Sequence, residues 1–305
     1  MILKELIGPD DDGKKITTIL RHKMGLSGRM VSRLKTVEGI CVNGIPVFTN
    51  YVCREGDLVT ANVALAEAPQ EVPAEYGDLT VLYEDDFLLA VYKPEGMITH
   101  PSRTQFTDTL MGYVLGYLSQ SGSTTCHALN RLDRYTSGIV LFAKSSYAKA
   151  LFSQSLQKAR KTYMAIVYGR VVAGCGTINL PIVRLQKENI QRGISADGAK
   201  AITHFQVLDT VRYEDCNSSI LKLEPETGRT HQLRVHCVSL GHPIIGDQIY
   251  HNDKSKEISE RLNIHGQLLH AGRLMFHHPV YNKDIDIHCP VMRDNMKPML
   301  DLCDC

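Results

Sequence analysis

The stretch "HALNRLDRYTSGIVLFAKS" (residues 127–145) places one acid between two arginines and follows it with an unbroken apolar run. The acid is Asp133, its neighbours are Arg131 and Arg134, and the apolar run covers residues 139–143. Such a short, uninterrupted run predicts a strand buried within a sheet. Beside two guanidinium groups, the carboxyl of Asp133 should remain ionised and act only as a hydrogen-bond acceptor. The stretch therefore predicts an anionic side chain held on a loop that enters a buried strand.

Small and hydroxyl residues follow the acid and should make this loop rigid. Thr136 and Ser137 can tie the loop in place, and Gly138 permits close approach of another backbone. A carboxylate on a rigid element suits a nucleophile or a base. An equally good interpretation at this stage is an Asp–Arg ion pair that only holds the loop.

The wider pattern after residue 79 predicts one α+β domain built around a mixed sheet. Residues 79–93 give two strands around an acidic turn at 84–86. Later residues alternate strands with helical stretches, and the clearest of these are strands at 138–144, 162–168 and 220–223 and a helix at 147–157. We assign residues 79–305 to this domain.

The beginning of the chain has a different character. Residues 13–37 carry seven Lys or Arg and no acid, in a pattern of two short helices, and Asn43-Gly44 then marks a hairpin. We assign residues 1–65 to a small domain and the Ala/Glu/Pro-rich residues 66–78 to a linker. The segregated charge indicates a surface that meets a polyanion, although a solvated helix face would carry similar charge.

A second group of chemically capable residues lies in "EPETGRTHQLRVHCVSLGHPIIGDQIY" (224–250). The pattern predicts a turn into a helix that begins near Thr230, an acceptable N-cap. Arg229, His231 and Arg234 would then cluster at the positive end of the helix, where a phosphate or carboxylate binds well. The alternative is a basic helix end on the surface.

Tyr163 opens a predicted strand directly after a basic step in "ARKTYMAIVYG" (159–169). Its ring suits the stacking of a nucleic-acid base, which contributes on the order of 1–3 kcal/mol per base. Without other context, a core tyrosine with a satisfied hydroxyl is the better interpretation.

Two resemblances connect these segments. Residues 32–59, "SRLKTVEGICVNGIPVFTNYVCREGDLV", resemble an S-four-type RNA-binding domain, which implies RNA docking through Arg29, Arg33 and Lys35. The ordered segments at 91–101, 127–138, 160–169, 227–236, 241–250 and 268–279 together resemble the RluA-type pseudouridine synthases. That resemblance implies a mixed, mainly antiparallel sheet flanked by helices.

The resemblance to the synthases also implies roles for single residues. Asp133 would be the catalytic aspartate, paired with Arg229. Arg131 would enter the RNA to help flip the target uridine, with Arg134 beside it in contact with RNA. Tyr163 would stack on the flipped base, and Leu233 would pack near it. The residues with implied roles are therefore Asp133, Arg229, Arg131, Arg134, Tyr163 and Leu233. The chain departs from the family pattern at Asn130 and Tyr135, which puts its RNA contacts and substrate choice in doubt.

The sequence predicts no metal and no nucleotide cofactor, because the His and Cys spacings fit no zinc site and phosphate-binding glycine loops are absent. Nine scattered cysteines favour reduced thiols in a cytoplasm, and no apolar run is long enough for a membrane span. The expected partner is RNA, ribosomal first and transfer RNA second. Two rival functions are a glycosidic-bond hydrolase, in which Glu224 or Glu226 would act as the second acid, and a non-catalytic RNA-binding protein.

Overall fold

The amino-terminal residues form a four-stranded sheet with two short helices packed on it. The computed structural model describes residues 1–68, 70–186, 190–213, 216–291 and 296. In this unit the elements are β1 (Ile2–Leu6), α1 (Ile16–Thr18, continued by a π-helical turn, Ile19–Lys23), α2 (Gly28–Thr36), β2 (Ile40–Val42), β3 (Ile45–Pro46) and β4 (Leu58–Asn62). The strand order is β1-β4-β2-β3, with antiparallel pairing. The predicted pair of helices and the hairpin at Asn43-Gly44 are confirmed.

Helix α2 shows why this unit folds as it does. Ser27 caps its start by accepting a hydrogen bond from the Met30 backbone N–H at 3.2 Å. Met30, Val31 and Leu34 are buried in the core of the unit, at the helical spacing that the sequence shows. The basic residues lie on the remaining, exposed faces of the same helix.

The rest of the chain forms a larger α+β unit around a ten-stranded sheet. Its elements are β5 (Val81–Glu84), β6 (Leu88–Lys93), α3 (Leu110–Ser119), β7 (His127–Ala128), β8 (Ser137–Ala143), α4 (Ser146–Gln157), β9 (Arg160–Tyr168), β10 (Cys175–Asn179), β11 (Ile182–Arg184), β12 (Arg192–Ile194), β13 (Ile202–Tyr213), β14 (Cys216–Pro225), α5 (Gln232–Ser239), α6 (Asp253–Arg261), β15 (Leu269–His278) and β16 (Lys283–His288).

The main path of the large sheet is β10-β13-β14-β9-β15-β8-β6-β5. Beside this path, β16 pairs with β15 and β7 pairs with β8. β11 and β12 form a separate two-stranded sheet. Among the described residues, the pairing of β8 with β15 is parallel and the other pairings are antiparallel. This confirms the predicted α+β class with a mixed, mainly antiparallel sheet flanked by helices.

Strand β8 is the buried strand that the opening stretch predicts. Ile139 and Leu141 point into the core cluster that contains α4, whereas Val140 and Phe142 point into the cluster that contains α3. Because successive side chains of a strand face opposite sides of a sheet, a strand covered by helices on both sides has to be apolar at every position. At its start, an added Cβ on Gly138 would lie 2.3 Å from the Ala271 carbonyl oxygen of β15, so only glycine permits this close pairing.

The segment predicted as a linker lies against the larger unit. Glu67 accepts hydrogen bonds from the backbone N–H and the hydroxyl of Ser146, at 2.6 and 2.7 Å, at the start of α4. Gln70 donates to the carbonyl of Cys126 at 2.7 Å. Residues 66–78 are thus fixed at both of these points by contacts that join residues far apart in the sequence. In the described part of the chain, no helix has the length and apolar character needed to cross a bilayer.

Candidate active site

The candidate site lies where the loop before β8, the start of β9 and the start of α5 meet. These three segments line one cavity of about 270 Å³, which is close to the lower end of the range of small-molecule pockets, roughly 300–1,000 Å³. The predicted residues that line it are Arg131, Asp133, Tyr163, Arg229 and Leu233. The fold therefore brings together residues that are far apart in the sequence, such as Asp133 and Arg234, which are 101 positions apart.

The loop that carries Asp133 is held on several sides by its neighbours. The fully buried ammonium of Lys93 donates to the carbonyl of Arg134 at 2.9 Å and to two carbonyls of its own loop. Thr136 accepts a hydrogen bond from Gln267 at 3.0 Å. These bonds tie the loop to neighbouring elements, and they add Lys93 as a positioning residue that sequence reasoning did not identify.

Asn130, one of the two departures from the family pattern, also holds this loop. Its side-chain amide donates to the Ile139 carbonyl at 3.1 Å and accepts from the Leu141 backbone N–H at 2.8 Å. The half-buried ring of Tyr135, the other departure, packs against Gly266, where an added Cβ would lie 2.6 Å from the ring. In this chain both departures serve the local fold of the loop.

Arg234, on α5, is the cation that contacts Asp133. Its Nη1 lies 3.1 Å from Asp133 Oδ2, while its Nε and Nη2 each donate to the carboxylate of Asp247 at 2.7 Å. The side chain of Arg234 is 5% exposed and that of Asp247 is 0% exposed. Burial acts to lower the pKa of Arg234, but its bonds to Asp247 and Asp133 outweigh burial and raise that pKa. Asp133 therefore faces a permanent, buried positive charge.

The predicted pairing of Arg229 with Asp133 is wrong. Arg229 is exposed, and its Nε donates to the backbone carbonyl of Lys200 at 3.0 Å. Arg229 and Arg234 lie on opposite sides of the helix start. The N-cap of α5 is His231, with a left-handed φ of 57°, and not Thr230. With the helix starting at Gln232, Arg229 stays in the preceding turn, and Arg234 lies on the buried side of the first helical turns.

At the N-terminal end of α5, the side chain of Gln232 bonds the preceding turn. The side-chain oxygen of Gln232 accepts hydrogen bonds from the Arg229 backbone N–H at 3.0 Å and from the Thr227 hydroxyl at 2.8 Å. The predicted cluster of three basic side chains separates, because Arg229 turns outward and Arg234 is bound to two carboxylates.

His231 is a further residue of the site. Its Nδ1 lies 2.9 Å from the hydroxyl of Tyr250, and its Nε2 lies 3.9 Å from Asp133 Oδ2. Burial lowers the pKa of His231, against the opposing effect of the Asp133 carboxylate. The lowered pKa favours the neutral form of this imidazole.

Tyr163 presents its ring to the cavity from the start of β9. It is half-buried and packs against the core cluster that contains Leu233. Burial, assisted by the nearby Asp133 carboxylate, raises the pKa of Tyr163 to about 12. Its hydroxyl therefore stays protonated at neutral pH. This favours a role in which the ring contacts a base over a role in which the hydroxyl accepts a proton.

The arginines beside Asp133 lie at the mouth of the cavity. Arg131 is exposed and lines both the cavity and a wider adjoining cleft of about 620 Å³. Arg134 is also exposed, lines the same cleft, and donates to the side-chain oxygen of Gln105. Neither arginine forms the ion pair with Asp133 that would have made the loop purely structural.

Asp133 is the only carboxylate among the described residues that line the cavity. Glu226 lies in an adjoining groove and is hydrogen-bonded to His204 at 2.7 Å, whereas Glu224 pairs with Lys222 at 3.3 Å. A second acid placed for hydrolysis is therefore not found in this part of the chain. Nor do the described residues gather three or more His, Cys, Asp or Glu side chains into a potential metal site.

Comparison with known proteins agrees with this geometry. The RNA pseudouridylate synthase family profile matches residues 87–239. RNA pseudouridine synthase YhcT of Bacillus subtilis (strain 168) is 36% identical over 305 residues, covering 99% of this chain and 96% of the relative. Ribosomal large subunit pseudouridine synthase D of Vibrio cholerae is 34% identical over 286 residues, covering 89% of this chain and 86% of the relative.

A solved structure, human RNA pseudouridylate synthase domain containing 1, superposes with a TM-score of 0.59 at 25% identity, covering 74% of this chain and 86% of the human chain. The chain belongs to the RluA-type family of RNA pseudouridine synthases, and it is an isomerase that acts on RNA. Membership of this family decides against the two rival functions, hydrolysis and RNA binding without catalysis.

Proposed function

We propose that this enzyme isomerises specific uridines of large-subunit ribosomal RNA and that Asp133 is the residue that acts on the flipped nucleotide. One observation carries the proposal for Asp133: it is the single carboxylate lining the described cavity, and the buried Arg234 holds it at 3.1 Å. The proposal for ribosomal RNA is supported by the name of the Vibrio cholerae relative, which covers most of the chain.

The chemistry needs only one ionised carboxylate. Isomerisation breaks the bond between C1′ of the sugar and N1 of uracil, and it forms a bond between C1′ and C5. C5 loses its proton and N1 gains one, so the reaction involves no net oxidation or hydrolysis. Asp133 can act as a nucleophile or by taking a proton from the sugar, and both roles require its anionic form. Arg234 contacts the carboxylate at 3.1 Å, and Tyr163 and Leu233 line the cavity in which the uracil ring would lie.

Access to the cavity requires the uridine to leave its stack, which costs roughly a few kcal/mol. The exposed guanidinium of Arg131, at the mouth of the cavity, is placed to fill the vacated position, and Arg134 is placed to contact the backbone beside it. A flipped uracil would then stack on the ring of Tyr163.

The amino-terminal unit is proposed to be an S-four-type domain that binds structured RNA through α2. Replacing Arg29, Arg33 and Lys35 together with Gln should weaken RNA binding and reduce the slope of log Kd against log salt by about 2 to 3 for a duplex. Their side chains are exposed on α2, so the melting temperature should not change. A control with the same charge change replaces three exposed lysines of the larger unit, Lys254, Lys256 and Lys283. Equal slopes for the two triple variants would contradict an RNA-binding role for α2.

The RNA target is tested directly by mapping pseudouridine in cells with and without the gene. Loss of one or a few modified positions in large-subunit ribosomal RNA is expected, and this result would also agree with a cytoplasmic location. Loss of pseudouridine confined to transfer RNA would agree with the proposed activity, but it would make transfer RNA the substrate instead of ribosomal RNA.

A further inference from the structure

Lys161 places its ammonium group in the wall of the candidate active site. The isomerisation described above assigns no role to this group. It lies on β9 two residues before Tyr163, so both side chains emerge on the same face of the strand and both line the cavity. Lys161 is half-buried, and burial lowers its pKa. Among the described residues, no acceptor or carboxylate lies within bonding distance of its ammonium.

Two other shielded lysines of this chain, Lys93 and Lys144, have hydrogen-bond or ion-pair partners. Lys93 is fully buried, but it donates to three backbone carbonyls at 2.7–2.9 Å. Lys144 is 20% exposed and pairs with Glu84 at 2.6 Å. A partly desolvated ammonium without such partners is costly, since charged groups out of water are normally paired. The position of Lys161 therefore indicates a partner that arrives from outside the chain.

A groove of about 380 Å³ leads away from the cavity at Lys161. It shares five lining residues with the cavity, so the two spaces are continuous: Leu129, Lys161, Pro225, Thr227 and Gly228. Lys149 of α4 lines this groove and is exposed. The carboxylate among its described lining residues, Glu226, is bound to His204. The groove thus presents two available positive charges and one negative charge that is already paired.

The cavity opens in another direction into the cleft lined by Arg131 and Arg134. Asp133 consequently lies between two basic passages, one at the arginines and one at Lys161 and Lys149. A polynucleotide with one nucleotide turned into the cavity must continue on both sides of it, and each side carries a phosphate.

We propose that Lys161 binds the backbone phosphate adjacent to the flipped uridine and that the groove toward Lys149 receives the strand that continues from it. The proposal rests on the proposed function, since it takes the cavity to be the uridine site. A phosphate is the fitting ligand because an ammonium in a partly water-excluded wall gains a charge-assisted hydrogen bond there. Lys161 is then a binding and positioning residue that fixes how far the nucleotide enters beside Tyr163.

The test measures RNA binding and, for the same variants, kcat for pseudouridine formation. Full-length wild type, Lys161→Gln and Lys161→Arg are titrated with oligouridylate of about ten nucleotides, within the site sizes of single-strand-binding grooves. For Lys161→Gln we expect binding about tenfold weaker at low salt, as for the loss of one charged hydrogen bond. Its slope of log Kd against log salt should be shallower by about 0.7, the value for one phosphate on a single strand. Lys161→Arg keeps the charge and should keep most of the slope.

Lys256→Gln is the matched control, because Lys256 is an exposed lysine of α6 that lines neither passage. It should behave as wild type. A salt slope for Lys161→Gln equal to that of wild type, with unchanged melting temperature, overturns the proposal. So does a loss of kcat with unchanged affinity, which would make Lys161 a proton donor. Because oligouridylate binding requires no isomerisation, this result is independent of whether Asp133 proves to be catalytic.

Discussion

Asp133→Asn is expected to abolish pseudouridine formation, with a fall in rate of at least about 10³-fold. An amide has nearly the shape of the carboxylate and can still accept a hydrogen bond from Arg234. It cannot act as an anionic nucleophile or take a proton, and both proposed roles of Asp133 need that ability. The measurement is single-turnover formation of pseudouridine in ribosomal RNA transcripts, read by nucleoside mass spectrometry after digestion.

Two controls separate chemistry from binding. The affinity of Asp133→Asn for the same RNA should stay close to that of wild type, since its phosphate contacts are unaltered. Asp284→Asn makes the same chemical change at an exposed residue of β16 that pairs with His277 and lies outside the cavity. It should leave the rate unchanged. Substantial activity in Asp133→Asn would remove the carboxylate from the mechanism.

Much of the site could be predicted from the sequence, because the apolar run and the loop before it each lie within one short segment. The apolar run at 139–143 required a strand covered on both faces, and β8 does send alternate side chains into two cores. The loop before it was expected to be tied to its neighbours, and Thr136 accepts a hydrogen bond from Gln267 while Gly138 allows the close approach of Ala271. Each of these features depends on residues within one short segment, so the sequence carries them directly.

The partner of Asp133 was not predictable in the same way. Four arginines were candidates, namely Arg131, Arg134, Arg229 and Arg234, and their positions relative to the acid depend on tertiary packing. Arg229 lies in the turn before α5 and bonds the Lys200 carbonyl, whereas Arg234 lies within α5 and reaches Asp133. A signal was nevertheless present in "GDQIY" at 246–250. Asp247 accepts the backbone N–H groups of the next residues, an Asx turn typical of an acid fixed in place for a partner.

The contacts of the segment at 66–78 could not be predicted, for a related reason. Its composition is that of a spacer, yet Glu67 and Gln70 bond to residues 79 and 56 positions later in the chain. Such contacts leave no periodic pattern in the local sequence, because one polar side chain is enough to make a hydrogen bond to a helix start or a strand end. The packing that orients the amino-terminal unit is thus a tertiary feature.

Arg234→Leu is expected to lower both the stability and the activity of the enzyme. Removing one member of a buried ion pair typically costs about 3–5 kcal/mol, because the remaining charge stays uncompensated. Here that charge is the carboxylate of Asp247, which is fully buried. For a unit of this size, 1 kcal/mol corresponds to a shift of roughly 2–4 °C, so we expect the melting temperature to fall by about 10 °C. Calorimetry or circular dichroism measures the shift.

The double variant Arg234→Leu/Asp247→Leu separates the two functions of the arginine. Replacing both charges with apolar groups should recover much of the lost stability, since buried pairs can often be replaced by packed hydrophobic residues. Activity should stay low in the double variant, because Asp133 still lacks the guanidinium 3.1 Å away that stabilises its anionic form. Arg229→Leu is the matched control: its side chain is exposed and bonds only a backbone carbonyl, so stability should change by no more than about 0.5 kcal/mol. If Arg229→Leu reduced activity more than Arg234→Leu did, the pairing of Asp133 in solution would differ from the one in this structure. Recovery of both stability and activity in the double variant would instead limit Arg234 to a structural role.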